Sequence, residues 1–255
     1  MQKVRYLMML GAVTLAGCSD TTEVALRGGV AVSFATQSPT AGTPAPAFSR
    51  APALDDTLVV GTDTLIFTSV EVVLREIELK KAETADCDVE PEPAGCEEIE
   101  VGPVLVDLPL VPGADSTFAI EAPAGTYTRI DFEVHKVSGD DPADAAFVQA
   151  HPEFDDLSIR VQGTFNGSAF TFETDLDVEQ ELDLVPALVV DETTTTNVTV
   201  RVDVSTWFRS VTGALIDPAT ANTGGSNESE VKDNIKDSFK AFEDEDRDGD
   251  ELDEG

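Results

Sequence analysis

The residues with the clearest chemical potential in this 255-residue chain lie at its acidic end. Asp244, Asp246 and Asp248 alternate ahead of Gly249, and Asp250 follows. Calcium loops use this spacing: hard oxygen ligands converge and a glycine permits the sharp turn. The position that should supply a bidentate glutamate is Gly255, so the affinity expected of Asp244, Asp246, Asp248 and Asp250 is weak, about 0.1 to 1 mM. A solvated acidic terminus accounts for the same residues and is the preferred reading. His135 and His151 are the only histidines. His135 falls on the polar face of its strand beside Glu133, and His151 precedes Pro152 in a loop, so both are expected at the surface. A shared metal or acid–base site is the sharper alternative. No serine sits in a glycine elbow, which leaves Ser-His-Asp hydrolysis unsupported. With 50 acidic residues, any chosen carboxylate pair is uninformative. The hydroxyl run 193–196 with Asn197 could contact a glycan, although β-propensity and turn chemistry explain it without one.

The start of the chain carries a different chemistry. Lys3 and Arg5 precede an apolar stretch, 6–15, and no acid appears before Asp20. This is the layout of a secretory signal, and the apolar run is too short for a permanent membrane helix. Leu15-Ala16-Gly17-Cys18 resembles the lipobox of bacterial lipoproteins, which implies that Cys18 is acylated and becomes the new first residue. Buried acyl methylenes contribute roughly 0.8 kcal/mol each, enough for several chains to hold a soluble body at a membrane. No later segment looks membrane-spanning. Loss of residues 1–17 takes the formal charge from −34 to −36, which disfavours nucleic acid and anionic lipid surfaces as partners. Solvated faces, cation binding and a salty habitat all accord with it. In an exported chain Cys87 and Cys96 are expected to form a disulfide around the Pro- and Gly-bearing loop 88–95, contributing roughly 2 to 3 kcal/mol. A two-thiolate zinc site is the rival, and no histidine lies nearby to complete it.

The elements that must position these groups read almost wholly as strands. After a tether at 18–28, Val30, Val32 and Phe34 alternate with small residues. A Pro-rich segment, 38–53, is expected to be a mobile loop. Strand patterns follow at 65–73, 74–79, 104–108 and 116–120, with a turn at Pro112-Gly113. In 126–137, Ile130, Phe132 and Val134 mark the core side, opposite Tyr127, Arg129, Asp131, Glu133 and His135. Asn166-Gly167 signals a hairpin. Pro186 should place 182–190 at an edge or a bend. Val198, Val200, Val202 and Val204 alternate with polar residues. The fold class expected is all-β: an antiparallel β-sandwich, immunoglobulin-like or transthyretin-like, over 29–215. Only two stretches look helical. A turn at 205–208, capped by Ser205, would plug one end with the sole tryptophan. After a linker at 216–227, 228–242 places Val231, Ile235, Phe239 and Phe242 on one stripe, within a possible appendage at 228–255 that ends in the acidic tail.

Residues 64–137 resemble a β-sandwich domain family of unassigned activity that recurs in bacterial lipoproteins. The features that match are the strand pair 70–79, Val106-Asp107-Leu108 and Ala124-Gly125-Thr126-Tyr127-Thr128-Arg129-Ile130. These are turn and core motifs, so they imply fold and no chemistry. Together the readings imply a non-enzymatic, lipid-tethered extracytoplasmic sandwich in the cell envelope, at an outer membrane or cell surface. It would bind a protein or glycan partner, with no nucleic acid and with calcium as the one candidate cofactor. The alternative is a secreted carboxylate- or metal-dependent hydrolase, which predicts His135 or His151 among several acids.

Overall fold

A computed structural model describes residues 29–36, 57–81, 102–110, 115–122, 124–191 and 194–244. Cys18, Cys87, Cys96, Asp246, Asp248, Asp250 and the Pro-rich segment 38–53 lie outside the described residues, as does Thr193. Period-two patterning becomes eleven strands among the described residues. They are β1 (Gly29–Thr36), β2 (Thr57–Val60), β3 (Asp63–Lys81), β4 (Val104–Asp107), β5 (Asp115–Glu121), β6 (Gly125–Val134), β7 (Ile159–Phe165), β8 (Ser168–Thr174), β9 (Val178–Val190), β10 (Thr195–Val202) and β11 (Phe239–Glu243). Two α-helices, α1 (Ala145–Ala150) and α2 (Glu228–Lys236), and two single 3-10 turns, Pro152–Phe154 and Pro218–Thr220, complete the list.

The strands form two sheets, one ordered β11-β10-β1-β5 and one ordered β8-β7-β3-β6-β9, with β2 and β4 paired to β3. One buried cluster joins Val30, Val32 and Phe34 with Val198, Val200 and Val202 from the smaller sheet, and Phe67, Val72, Ile130 and Phe132 from the larger. The all-β sandwich expected from the sequence is therefore present. One detail differs: β1 and β10 run parallel, with Val32 opposite Val198, so the smaller sheet is mixed and not wholly antiparallel. Parallel pairing still sets Val30, Val32 and Phe34 beside Thr196, Val198 and Val200, and a one-residue slip would turn the apolar set out of the core.

The β3 strand organises the larger sheet. Its 19 residues pair in turn with β2, β7, β4 and β6. The Asn166-Gly167 hairpin forms as expected, with both residues at positive φ (51° and 79°) between the paired Phe165 and Ser168. Pro186 lies in β9, the edge strand. On β6 the core side holds Ile130, Phe132 and Val134, but Tyr127 is buried with them. A register shift between Tyr127 and Arg129 resets the alternation, which a strict period of two cannot anticipate.

Residues 228–244 belong to the body. Val231, Ile235 and Phe239 join the main core, and the helix is shorter than the expected 228–242. It ends because Ser238 donates to the Ile235 carbonyl (2.7 Å) while accepting from Trp207 Nε1 (2.8 Å). The chain then pairs as β11, Phe239 opposite Val202. Trp207 plugs the core as expected, but the turn is organised by Asp203, whose carboxylate accepts from the Ser205 amide (3.1 Å) and hydroxyl (2.6 Å).

Both faces of β10 are buried. Opposite its valines, Ser33 donates to Asn197 Oδ1 (2.7 Å), Asn197 Nδ2 donates to Thr199 Oγ1 (3.0 Å), and Thr199 donates to Asp244 Oδ2 (2.7 Å). Replacing Asn197 with Ala should strand the polar groups of Ser33 and Thr199 and cost about 2 to 3 kcal/mol. The check is a urea midpoint lowered at unchanged slope, and a midpoint equal to wild type would count against this chain of bonds.

Candidate functional site

The site is built where β6 ends. The His135 amide donates to the Val73 carbonyl (3.0 Å), continuing the β3–β6 edge for one residue beyond Val134. The chain then crosses the outer face of the larger sheet, where Val137 and Phe154 form a second small core with Val73, flanked by Leu105, Phe147, Val148 and Leu157. This excursion contains α1, a helix that sequence patterning did not signal, because its six residues are too few for a visible apolar stripe. Asp144 stands at its N-cap and is carried back against His135.

Asp144 is 1 % exposed, and both its oxygens lie 3.0 Å from His135 Nε2. One of them also accepts from the Ser138 amide at 2.9 Å. An ionised carboxylate only accepts, so Nε2 must carry the hydrogen and donate it. The other ring nitrogen, Nδ1, is buried and has no hydrogen-bond partner among the described residues. It lies 3.7 Å from Glu133 Oε2. Arg75 grips that same oxygen through Nε (3.0 Å) and Nη2 (2.9 Å). The Asp177 carboxylate stands beside that of Glu133. Burial, and after it the neighbouring Asp177 carboxyl, hold the Glu133 carboxyl above the usual range against the pull of Arg75. One donor atom each from Glu133, His135 and Asp177 lie within 4.8 Å of one another. Asp177, in the short connection from β8 to β9, is exposed and opens the cluster to solvent.

The expectation of a surface His135 is thus corrected: it is 5 % exposed, because residues 137–158 cover the face of β6 that looked solvated. His151 stays partly exposed, its ring against Phe147 (4.8 Å) and its amide closing α1 on the Phe147 carbonyl (2.8 Å). It takes no part in the cluster around His135. Asp144 and Asp177 were missed. The first could have been sought as a helix cap in Asp140-Asp141-Pro142-Ala143-Asp144, whereas nothing local distinguishes the second from its acidic neighbours. An Asp–His pair of this kind orients an imidazole in acyl-transfer enzymes, but here no hydroxyl or thiol hydrogen-bonds to the open nitrogen among the described residues. What faces Nδ1 is carboxylate.

Of the tail residues, Asp244 is fully buried and bonded to Thr199. In the run 193–197, Thr194 donates to the Asp191 carboxylate through its amide (2.8 Å) and hydroxyl (2.9 Å), and Asn197 belongs to the buried chain on β10. A groove of about 280 Å³ lies where edge strands β9 and β11 meet, lined by Glu181, Leu182, Val185, Arg201, Lys240 and Phe242 among others. None of Glu133, His135 and Asp177 lines it. The exposed large apolar side chains among the described residues are Val59, Val185, Val189 and Val211, none of them aromatic. No helix of the described residues is long and apolar enough to cross a membrane. No protein-family model matches the chain, nor does any curated protein or solved structure.

Proposed function

We propose that this chain is a bacterial lipoprotein: a sandwich held by lipid on Cys18 outside the cytoplasm, acting by binding within the cell envelope and not by catalysis. The observation that carries the reading is Leu15-Ala16-Gly17-Cys18 behind a basic start and a short apolar run. The polar segment 18–28 ahead of the first strand pattern supports the reading as a tether, and the groove between β9 and β11 offers mixed acidic, basic and apolar groups to a protein or glycan partner. The charge of the chain argues against nucleic acid. Of the acidic tail Asp244, Asp246, Asp248 and Asp250, the first is tied to Thr199, and the set would take calcium weakly.

The test is expression of the full chain in a bacterial host with labelled fatty acid. Wild type should incorporate label and fractionate with membranes. Cys18→Ala should lose the label completely and leave the membrane lipid-free or unprocessed. Recovery of wild-type protein from the cytosol with residues 1–17 intact and no label would overturn the reading.

A further inference from the structure

We propose that Glu133, Nδ1 of His135 and Asp177 form a binding site for one divalent transition-metal ion of the zinc class, with solvent completing the coordination. This site is separate from the acidic tail and does not depend on the lipid anchor.

Three arrangements point the same way. First, metal–ligand bonds of about 2.0 to 2.2 Å in a tetrahedral site put neighbouring donors roughly 3.4 Å apart. A spread within 4.8 Å for the three donors needs only small side-chain rotations to meet that. Second, His135 is already oriented as a ligand. Histidine ligands generally donate their other ring N–H to a carboxylate, which fixes the tautomer and makes the free nitrogen more basic. Asp144, itself held by the Ser138 amide, does this to Nε2. Nδ1 is left buried without a hydrogen-bond partner among the described residues, a state that costs free energy unless a ligand occupies it. Third, when ionised, Glu133, Asp177 and Asp144 outnumber the single guanidinium of Arg75 by two charges, and a dication cancels that excess. Arg75 grips Oε2, which leaves the second oxygen of Glu133 for the ion.

The donor set selects the class. Calcium and magnesium prefer all-oxygen shells, whereas an imidazole nitrogen with two carboxylates suits zinc and its transition-metal neighbours. The exposed carboxylate of Asp177 gives the ion a way in from solvent.

The experiment uses the full chain, stripped with a chelator and titrated with Zn²⁺ by calorimetry and with Co²⁺ by absorption. One ion per chain is expected, with weak d–d bands and no thiolate charge-transfer band, and the His135 ring nitrogen signals should move on Zn²⁺ addition. Asp177→Asn lies at the surface and should fold, yet weaken binding by at least about tenfold, the loss that even an outer-shell partner causes. The triple change Asp246→Asn, Asp248→Asn, Asp250→Asn should leave affinity unaltered. No uptake at about 1 mM Zn²⁺, the weak limit for extracellular cation modules, would overturn the proposal. So would equal affinity in Asp177→Asn, or a thiolate band that puts the ion at Cys87 and Cys96.

Discussion

Gly163→Ala should destabilise the protein by about 3 kcal/mol or more, the upper range for forcing extra volume into a packed interior. Gly163 sits in β7 between Phe67 of β3 and Phe170 of β8. A methyl carbon there would stand 2.0 Å from the Ile66 carbonyl oxygen and 2.9 Å from the Phe170 ring. The aromatic ring could turn aside, but the carbonyl is backbone within the longest strand of the sheet. The two strands would have to part beside the register shift between Phe67 and Ser69, and their ladder would break in the middle. Gly102→Ala is the control: nothing lies within 4 Å of the added carbon, and its stability should be unchanged. Urea unfolding of both proteins makes the comparison, and a Gly163→Ala midpoint within error of wild type would show that β3 and β7 do not approach this closely.

Trp207→Ala should cost about 3 to 5 kcal/mol, roughly a fifth or more of the stability of an ordinary domain. The indole is fully buried, and its loss empties the largest side-chain volume in the core. It also strips Ser238 of the Nε1 bond at 2.8 Å, and Ser238 is the residue that ends α2 and launches β11. The adjoining Phe208 meets Phe172 edge-on at 5.0 Å and Phe67 at 6.1 Å, so the gap opens beside the contact that ties the turn to both β3 and β8. Because Trp207 is the sole tryptophan, the measurement must be far-ultraviolet circular dichroism and not fluorescence. Trp207→Phe refills most of the space without the hydrogen bond and should recover more than half of the loss. Equal destabilisation by both changes would mean that the bond to Ser238, and not volume, is what matters.

Much of the architecture is legible before any coordinates, and the reason is local. Valines at 198, 200 and 202 share the core side of β10 as their alternation requires, although Val204 is buried from the turn beyond the strand, and Asn166-Gly167 supplies the two positive φ angles that a tight hairpin needs. What escapes is set by contacts distant in sequence. Tyr127 reaches the core through a register shift that depends on β9, and Phe239 becomes strand because Val202 lies beside it. The site shows this most clearly. Glu133 and His135 stand out as alternating polar residues, but their burial is decided by the covering excursion at 137–158, and Asp177 arrives with the neighbouring strand, where Val178 pairs with Val134. In a chain with 50 acids, Asp144 carries only the weak mark of a helix cap and Asp177 carries none.

The placement of β1 has a mechanical consequence. The first described strand is interior to its sheet, flanked by β10 in parallel along eight residue pairs and by β5 on the other side. Tension entering from the amino-terminal direction at Gly29 runs along the strand axis, so both ladders must slide at once and cannot peel one bond at a time. A body fastened by that end would resist being torn from its moorings where an edge strand would unzip.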